Sequence, residues 1–242
     1  MSDLLATKLH HPSVPPQHVP RPHLIRRLNA GLALGRPMTL VSAPAGFGKT
    51  TCISAWVHEL DHPVTWLSLD ISDDEPGRFF TYLVAALQKI DPSLGQEIQG
   101  VLRSGQLPPA EFISTTLIND ILALQGRFLL VLDDFQVIQE RFTLQVLQDL
   151  VTHLFQTPLA QPLHLVLLTR EEPSLPLARL RASNQLTEVR ARDLRFTRRE
   201  AERFLNKAMG LALAPDDITA LEDKTEGWIV GLQLAALAMQ AP

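Results

Sequence analysis

The chain has 242 residues, of which 45% are apolar and 20% are charged, with a formal net charge of −4. This length accommodates a large domain together with a smaller one, and the apolar share suffices for a sizeable core. The charge excludes a polycation that coats nucleic acid over its whole length. The single cysteine, Cys52, excludes a disulfide framework and multi-cysteine metal clusters, so we expect it to be a small buried residue on a helix.

The first 22 residues show neither a membrane span nor an export signal. The stretch MSDLLATKLHHPSVPPQHVP lacks the basic region followed by an apolar core that marks a secretory signal. No stretch of the chain reaches the roughly 18 apolar residues that span a bilayer. We therefore expect a cytoplasmic protein without membrane contact. Because residues 11–22 are rich in proline, which fixes φ and removes backbone donors, we predict an extended arm over residues 1–22.

From residue 23 onward, helical patterns alternate with apolar runs of strand length. A first short helix is predicted at His23–Leu34. The predicted strands are Met38–Ser42, Val64–Leu69, Phe128–Asp133, Leu163–Thr169 and Leu186–Arg190. The helices between them are predicted at Lys49–Leu60, Pro76–Ile90, Pro109–Leu124, Phe142–Phe155 and Leu175–Arg181. Continuous apolar strands separated by helices indicate an α/β fold with a parallel sheet covered on both faces, which binds ligands at the carboxyl ends of its strands.

The pattern becomes wholly helical after Leu194. Thr197 and Glu200 have the spacing of a capping box at the start of FTRREAERFLNKAMG, and the stretches APDDITALEDKTEG and WIVGLQLAALAMQ follow. We predict a main domain over residues 23–194 and a small helical subdomain over residues 195–242. The last helix has an apolar face and no closing cap before Pro242, so we expect the sequence to be part of a longer chain.

A phosphate-binding pattern stands between the first strand and the helix after it. The pattern is Gly-x-x-x-x-Gly-Lys-Ser/Thr, and residues 43–50 read Ala-Pro-Ala-Gly-Phe-Gly-Lys-Thr, with alanine for the first glycine. The glycines let backbone N–H groups face a phosphate, and the lysine supplies a charge for the β- and γ-oxygens. Thr50 is expected to bind Mg²⁺ and Thr51 the α-phosphate. The nucleotide-binding candidates are Ala45, Gly46, Phe47, Gly48, Lys49, Thr50 and Thr51.

A second acidic element ends the third predicted strand, in the stretch LLVLDDF. Asp133 is placed to hold the water shell of Mg²⁺, and Asp134 to orient or deprotonate an attacking water. Two acids after a strand are also typical of a solvated turn, but their position downstream of a phosphate loop favours a nucleotide site. The next strand ends at Arg170, whose planar donor fork suits a γ-phosphate. The alternative is a surface arginine beside Glu171 and Glu172.

These elements together resemble the ATPase module of the large ATP-binding LuxR-type (maltose-regulator-like) transcriptional regulators, in the STAND class of signal-transduction ATPases. The resemblance covers the chain from about residue 20 and rests on seven segments in this order: SAPAGFGKTT, WLSLD, DDEPGRFFTYLVAAL, LLVLDDF, LLTR, DLRFTRREAERFL and EGWIVGLQLAALA. The phosphate loop alone indicates only a P-loop NTPase. The ordered set of segments is specific to the family.

The resemblance implies a STAND/AAA-like P-loop NTPase fold with strand order 5-1-4-3-2, followed by a helical lid, that binds ATP or ADP with Mg²⁺. It implies catalytic roles for Lys49, Asp134 and Arg170, and metal binding by Thr50 and Asp133. It also places Arg21 and Leu24 in an entry segment near the adenine. Asp74 matches an acid-rich turn before the second helix, and we interpret it as a cap.

Two departures from the family pattern stand out. A Gly-x-Pro element approaches the nucleotide in related lids, whereas this chain has isoleucine in Gly227-Trp228-Ile229. The family's winged-helix, helical-repeat sensor and C-terminal helix-turn-helix domains are also absent from the sequence, so DNA contact and inducer sensing would lie in other domains. By resemblance, ADP holds a closed monomer, ATP with inducer promotes self-association, and slow hydrolysis resets the switch.

Two other functions remain open. One is a stand-alone P-loop ATPase with fast turnover, which a turnover assay without partners distinguishes from a switch. The other is a nucleic-acid-binding fragment, since eight arginines and four acids lie between Arg179 and Arg203, and salt-dependent DNA binding would support it. Three tryptophans fall on apolar faces and are predicted to belong to the core: Trp56, Trp66 and Trp228.

Overall fold

The computed structural model describes residues 4–156 and 162–240, so residues 241 and 242 of the predicted lid and 1–3 of the predicted arm lie outside the described residues. Five strands form one parallel sheet in the order β2-β3-β4-β1-β5. They are β1 Met38–Ser42, β2 Val64–Ser68, β3 Phe128–Asp133, β4 Leu163–Thr169 and β5 Leu186–Arg190. This is the predicted order 5-1-4-3-2 counted from the other edge, so the predicted fold class and strand order are confirmed.

Helices surround the sheet and follow it. In chain order they are α1 Pro22–Ala33, α2 Lys49–His58, α3 Pro76–Leu87, α4 Gln96–Arg103, α5 Ala110–Ala123, α6 Arg141–Leu154, α7 Leu177–Ala182, α8 Ala191–Leu194, α9 Arg198–Glu202, α10 Pro215–Thr225 and α11 Ile229–Gln240. A π-helical turn, Arg203–Ala208, continues α9. The sequence predicted most of these helices, but it did not predict α4 or the short α8. None of the helices among the described residues is long and apolar enough to cross a membrane.

The three central strands are buried at every position because helices cover both faces of the sheet. The register of β1 aligns Leu40 with Leu167 on one side and Val41 with Val189 on the other. Alternate side chains point to opposite faces. One apolar layer therefore packs β1, β3 and β4 against α3, α5 and α6, and a second packs the other face against α1 and α2. The carboxyl ends of β1, β3 and β4 meet at one edge.

The helices after residue 195, which we call the lid, have an apolar cluster of their own. Phe196, Phe204, Leu205 and Leu232 are buried together, and Phe196 meets Phe204 edge to face. The capping box predicted at the start of this segment is present, with the Thr197 N–H donating to the Glu200 carboxylate over 2.8 Å. The lid therefore folds around a small core that is separate from the two layers of the sheet.

The described part of the N-terminal arm is docked at two places, around Lys8 and at Val19, which its proline content did not predict. A 3₁₀ turn at Ala6–Leu9 precedes the proline-rich part. The ammonium of Lys8 is buried, donates to Asp73 and lies 4.9 Å from the ring centre of Tyr82. Farther along, Val19 is buried in the lid cluster. The arm therefore joins α3 to the lid.

Candidate functional site

The phosphate loop lies between the end of β1 and the start of α2. Gly46 and Gly48 have φ of +76° and +78°, the left-handed region in which glycine is unstrained. The first helical N–H bond runs from Cys52 to the Gly48 carbonyl, so the amides of residues 49–51 precede the hydrogen-bonded turn. These amides and the helix dipole favour an anion at this point. Cys52 is buried on α2, as predicted.

The alanine that departs from the pattern stands where a glycine is not required. Ala43 does not have positive φ, and its N–H continues the pairing of β1 with β4 by donating to the Thr169 carbonyl over 3.2 Å. Its side chain is buried in the apolar layer below the loop. The substitution therefore leaves the left-handed residues of the loop and its attachment to the sheet intact.

Lys49 is held beneath the loop. Its Nζ donates to the carbonyl oxygens of Ala43, at 2.8 Å, and Pro44, at 3.1 Å, and the residue is buried. Burial lowers the pKa of the Lys49 ammonium, and the carboxylate of Asp134 partly opposes that shift.

The side chains of Thr50 and Asp133 meet where α2 begins and β3 ends. The Thr50 hydroxyl donates to both carboxylate oxygens of Asp133, at 3.0 and 3.2 Å. Burial raises the pKa of Asp133 to about 6, although the bond from Thr50 acts in the opposite direction. No cluster of three His, Cys, Asp or Glu residues suited to a metal occurs in residues 4–156 and 162–240. One hydroxyl and one carboxylate fit Mg²⁺, which keeps several waters and takes its other ligands from phosphates.

Asp134 and Arg170 face each other at the tips of neighbouring strands. The Nη2 of Arg170 lies 3.5 Å from Oδ1 of Asp134, and both side chains are about half exposed. Gln136, which the sequence did not single out, connects them by donating to Asp134 and accepting from the Arg170 backbone N–H. The exposed guanidinium and carboxylate are thus available to a ligand above the phosphate loop.

The lid contacts the phosphate loop through the residues around the altered Gly-x-Pro element. The indole of Trp228 donates to the Ala45 carbonyl over 3.1 Å, so this residue is not the core tryptophan that the sequence predicted. Trp56 and Trp66 are fully buried, as predicted. A Cβ on Gly46 would lie 2.7 Å from Val230, which shows how closely the first turn of α11 approaches the loop. Ile229 begins that helix at the position of the family's proline.

A cavity of about 1050 Å³ extends from the phosphate loop between the arm and the lid. Residues 45–52 line one wall, residues 17–22 of the arm a second, and lid residues such as Phe204 and Ile229 a third. Asp134 and Arg170 also line it. The volume is at the upper end of the range for small-molecule sites, so a nucleotide with its metal fits.

The family resemblance placed Arg21 and Leu24 near the adenine, and the structure places these two residues in other surroundings. Leu24 is buried in the apolar layer between α1 and the sheet and is not among the cavity-lining residues. Arg21 lines the cavity, but its guanidinium donates to Glu200 at 3.1 Å and to three carbonyl oxygens, those of residues 193, 194 and 195. It also lies 5.0 Å from the ring centre of Phe196. Most of its donor capacity therefore serves the junction between the sheet and the lid.

The acidic side chains of the turn before α3 bind backbone N–H groups of the protein itself. Asp74 accepts from the backbone N–H groups of Gln139, at 2.7 Å, and Glu140, at 2.8 Å, and so connects this turn to the segment before α6. Glu75 caps α3 by accepting from the N–H groups of Gly77 and Arg78. The interpretation of Asp74 as a cap is therefore wrong: Glu75 caps α3 and Glu140 caps α6, and Asp74 instead joins the two segments that precede these helices.

The arginine-rich segment is partly neutralised by ion pairs. Arg181 and Arg190 both pair with Glu172 and Glu188, and Arg195 pairs with Glu226 at 2.6 Å. The hydrogen bonds to these glutamates raise the pKa of Arg190 against its burial. These pairs reduce the positive charge that this surface presents, so the geometry gives little support to a nucleic-acid-binding stripe.

The chain is similar in sequence to transcriptional regulators and similar in fold to ATPases. No protein-family model matches the chain. The HTH-type transcriptional regulator MalT of Yersinia enterocolitica is 33% identical over 99% of this chain and 26% of its own length. MalT of Yersinia pestis is 32% identical over the same shares. The chain thus spans about a quarter of the length of these curated relatives, and the resemblance seen in the sequence is confirmed.

Two solved structures of Pyrococcus proteins have the same fold. A STAND protein with a tetratricopeptide repeat sensor from Pyrococcus horikoshii superposes with a TM-score of 0.58 at 16% identity, covering 94% of this chain and 30% of that one. A Walker-type ATPase of Pyrococcus abyssi gives 0.57 at 18% identity, over 91% of this chain and 67% of that one. These likenesses establish the P-loop NTPase fold.

Proposed function

We propose that this chain, a homologue of MalT-type regulators with a P-loop NTPase fold, is the ATP-binding and slowly hydrolysing switch module of a transcriptional regulator. The observation that carries the proposal is the convergence of three groups on one cavity. Lys49 lies under the phosphate loop, Thr50 meets Asp133, and Asp134 faces Arg170. The lid covers the same cavity and contacts the loop through Trp228.

Each residue has a distinct task in this proposal. The amides at the start of α2 and the Lys49 ammonium bind the phosphates. Thr50 and Asp133 would hold Mg²⁺, which would supply positive charge to offset that of the phosphates. Asp134 orients a water toward the γ-phosphorus and accepts its proton, and Arg170 binds the γ-oxygens. Lys49, Asp134 and Arg170 are the proposed catalytic residues.

In this proposal, contacts to the γ-phosphate let ATP and ADP favour different positions of the lid. A ligand shifts a two-state equilibrium only by its differential affinity, and a shift from 1:99 to 99:1 needs about 5.5 kcal/mol. Charge-assisted hydrogen bonds contribute about 1.5 to 3 kcal/mol each. Two such contacts contribute about 3 to 6 kcal/mol and three about 4.5 to 9 kcal/mol, so contacts to the γ-phosphate from Lys49, Arg170 and Mg²⁺ are of the size that this shift needs if they form in one lid position only.

The switch output is proposed for the whole regulator. In this account ADP favours the closed lid, ATP favours opening and self-association, and hydrolysis restores the closed state. DNA contact belongs to domains outside this chain. The stand-alone ATPase with fast turnover has no structural observation in its favour, and the ion pairs of the arginine-rich segment disfavour the nucleic-acid alternative.

A single-turnover assay tests the proposal. Radiolabelled ATP with Mg²⁺ is mixed with an excess of the chain, and phosphate release is followed for the wild type, Lys49→Ala and Asp134→Asn. The proposal predicts slow release in the wild type, retained ATP binding with still slower release in Asp134→Asn, and neither binding nor release in Lys49→Ala. Lys224→Ala is the control, because Lys224 is an exposed lysine on α10. Unchanged release in Asp134→Asn would contradict the proposal, as would a steady-state turnover of several per second, measured separately with ATP in excess and without a partner.

A further inference from the structure

Gln136 uses both ends of its amide beside the proposed water-directing acid. Its Nε2–H donates to Oδ1 of Asp134 over 2.8 Å, and its Oε1 accepts from the Arg170 backbone N–H over 3.0 Å. The side chain is half-buried and lies in the short 3₁₀ turn Phe135–Val137 that follows β3. One residue thus joins the tip of β3 to the tip of β4.

Asp134 occupies an unusual backbone conformation that requires such support. Its φ is +58° and its ψ is +38°, the left-handed region that non-glycine residues adopt at a cost. Its N–H donates to the Asp133 carboxylate over 3.0 Å. The backbone bond turns Asp134 away from the strand, and the bond from Gln136 fixes the carboxylate in the cavity.

The Asp134–Arg170 pair alone does not define a geometry. The two side chains are 43% and 53% exposed and their closest atoms are 3.5 Å apart, a distance at which exposed pairs contribute little. Long exposed side chains in such a pair sample many arrangements. The amide of Gln136 has shorter contacts to both partners, one to the carboxylate and the other to the backbone that carries the guanidinium.

We propose that Gln136 is a positioning residue that holds the Asp134 carboxylate and the Arg170 end of β4 in one arrangement, directed at the same point above the phosphate loop. The inference rests on the proposed function, since it assigns the water to Asp134 and the γ-phosphate to Arg170. Without the amide, the two charged side chains move independently, and the water and the γ-phosphate lose their alignment.

The test compares Gln136→Met with Gln139→Met. Methionine keeps the length of glutamine and removes both hydrogen bonds. Gln139 lies three residues away with an exposed side chain, so its replacement controls for the loss of a glutamine in this segment. Three quantities are measured with Mg²⁺: the Kd for ADP, the Kd for a non-hydrolysable ATP analogue, and the single-turnover rate of ATP hydrolysis.

The expected result separates binding from chemistry. In Gln136→Met the Kd for ADP stays unchanged, the hydrolysis rate falls by about 10- to 100-fold, and the preference for the ATP analogue over ADP decreases. Gln139→Met matches the wild type in all three. A Gln136→Met variant with an unchanged rate and an unchanged preference would overturn the inference.

A double variant tests whether Gln136 acts through Asp134. If it does, adding Gln136→Met to Asp134→Asn causes a smaller loss of rate than adding it to the wild type, because only the Arg170 end of β4 then remains to be positioned. Multiplicative losses would overturn the role through Asp134. A wild-type chain that binds nucleotide but shows no hydrolysis contradicts the proposed ATPase, and the analogue preference then decides the inference. A wild type that binds no nucleotide removes the proposed function and the inference with it.

Discussion

The indole N–H of Trp228 donates to the carbonyl oxygen of Ala45 across 3.1 Å, although 183 positions separate the two residues in sequence. The tryptophan stands immediately before α11, and Ala45 precedes the first left-handed glycine of the phosphate loop. Gly227, at φ +71°, enables the approach, because a Cβ there would lie 2.4 Å from the Phe196 carbonyl oxygen. Any movement of the lid away from the loop breaks this contact.

The first prediction concerns release of bound nucleotide. We expect Trp228→Phe to accelerate ADP release by about two- to tenfold, because it removes one hydrogen bond of about 0.5–1.5 kcal/mol while keeping the aromatic ring. Stopped-flow displacement of a fluorescent ADP analogue measures the rate. Trp66→Phe removes an indole bond to Ser68 within the sheet and is expected to leave the rate unchanged. A rate in Trp228→Phe equal to the wild type would show that the contact does not retain nucleotide.

The second prediction distinguishes two roles for Arg21. Its side chain is 9% exposed and donates to Glu200 and to the backbone that joins α8 to the lid. We expect Arg21→Lys to lower the free energy of unfolding by about 2 kcal/mol, because lysine lacks the planar donor fork. Urea denaturation measures this, with the exposed Arg26→Lys as control. Unchanged stability together with weaker ATP binding would instead favour the adenine contact implied by the family resemblance.

The third prediction tests how the arm is attached. Asp73 is fully buried, pairs with Lys8, and accepts from Arg78 over 3.0 Å. We expect Lys8→Met to destabilise the chain by about 3 kcal/mol, the low end for a broken buried pair, since Arg78 remains. The double variant Lys8→Met/Asp73→Asn should recover part of this loss, because it leaves no buried charge with a missing partner. Urea unfolding that shows no loss in Lys8→Met would mean that the arm is not held by this pair.

The fourth prediction concerns stability against pH. His164 is buried in β4, donates from Nδ1 to the Arg36 carbonyl at 2.8 Å, and has its Nε2 within 2.9 Å of the Thr39 hydroxyl oxygen. Burial lowers the pKa of His164 to about 4, against the hydrogen bond to Arg36. The unfolded chain binds a proton below about pH 6.5 and the folded chain only below about 4. Stability is therefore fully present above pH 6.5 and is lost as the pH falls toward 4.

The size of this loss of stability follows from the pKa values of His164 in the folded and the unfolded chain. At pH 5 the histidine accounts for a loss of about 2 kcal/mol relative to pH 8. The free energies of unfolding of the wild type and His164→Gln, measured in urea at both pH values, test this. Between pH 8 and pH 5, the free energy of unfolding of His164→Gln should fall by about 2 kcal/mol less than that of the wild type. Equal losses in the two proteins would mean that other groups cause the acid sensitivity.

Continuous apolar runs made the sheet predictable from sequence. Phe128–Asp133 was predicted to the residue because it is apolar throughout and ends in acids, as expected of a strand buried on both faces. The helix Gln96–Arg103 was missed because it is short, half of its residues are polar, it contains Gly100, and it buries only Ile98. Its left-handed start at Gly95 is fixed by Asp120, a contact that local propensity does not reveal.

The phosphate loop and the acidic strand end were visible as patterns, because each is a short local motif. The assigned roles of these residues remain predictions. Gln136 and Trp228 were missed because their contacts join segments distant in sequence, and neither residue type indicates a site by itself. The junction role of Arg21 depends on residues 193–200, more than 170 positions away, and the resemblance suggested a different contact.

The most direct test of the central claim is calorimetric titration of ATP and ADP, with Mg²⁺, into the wild-type chain and Lys49→Ala. The account predicts binding in the micromolar range or tighter for the wild type, and loss of that binding in Lys49→Ala, because the buried ammonium lies directly beneath the phosphate loop. Binding to Lys49→Ala with wild-type affinity, or no binding to either protein, would contradict the assignment of this cavity as a nucleotide site.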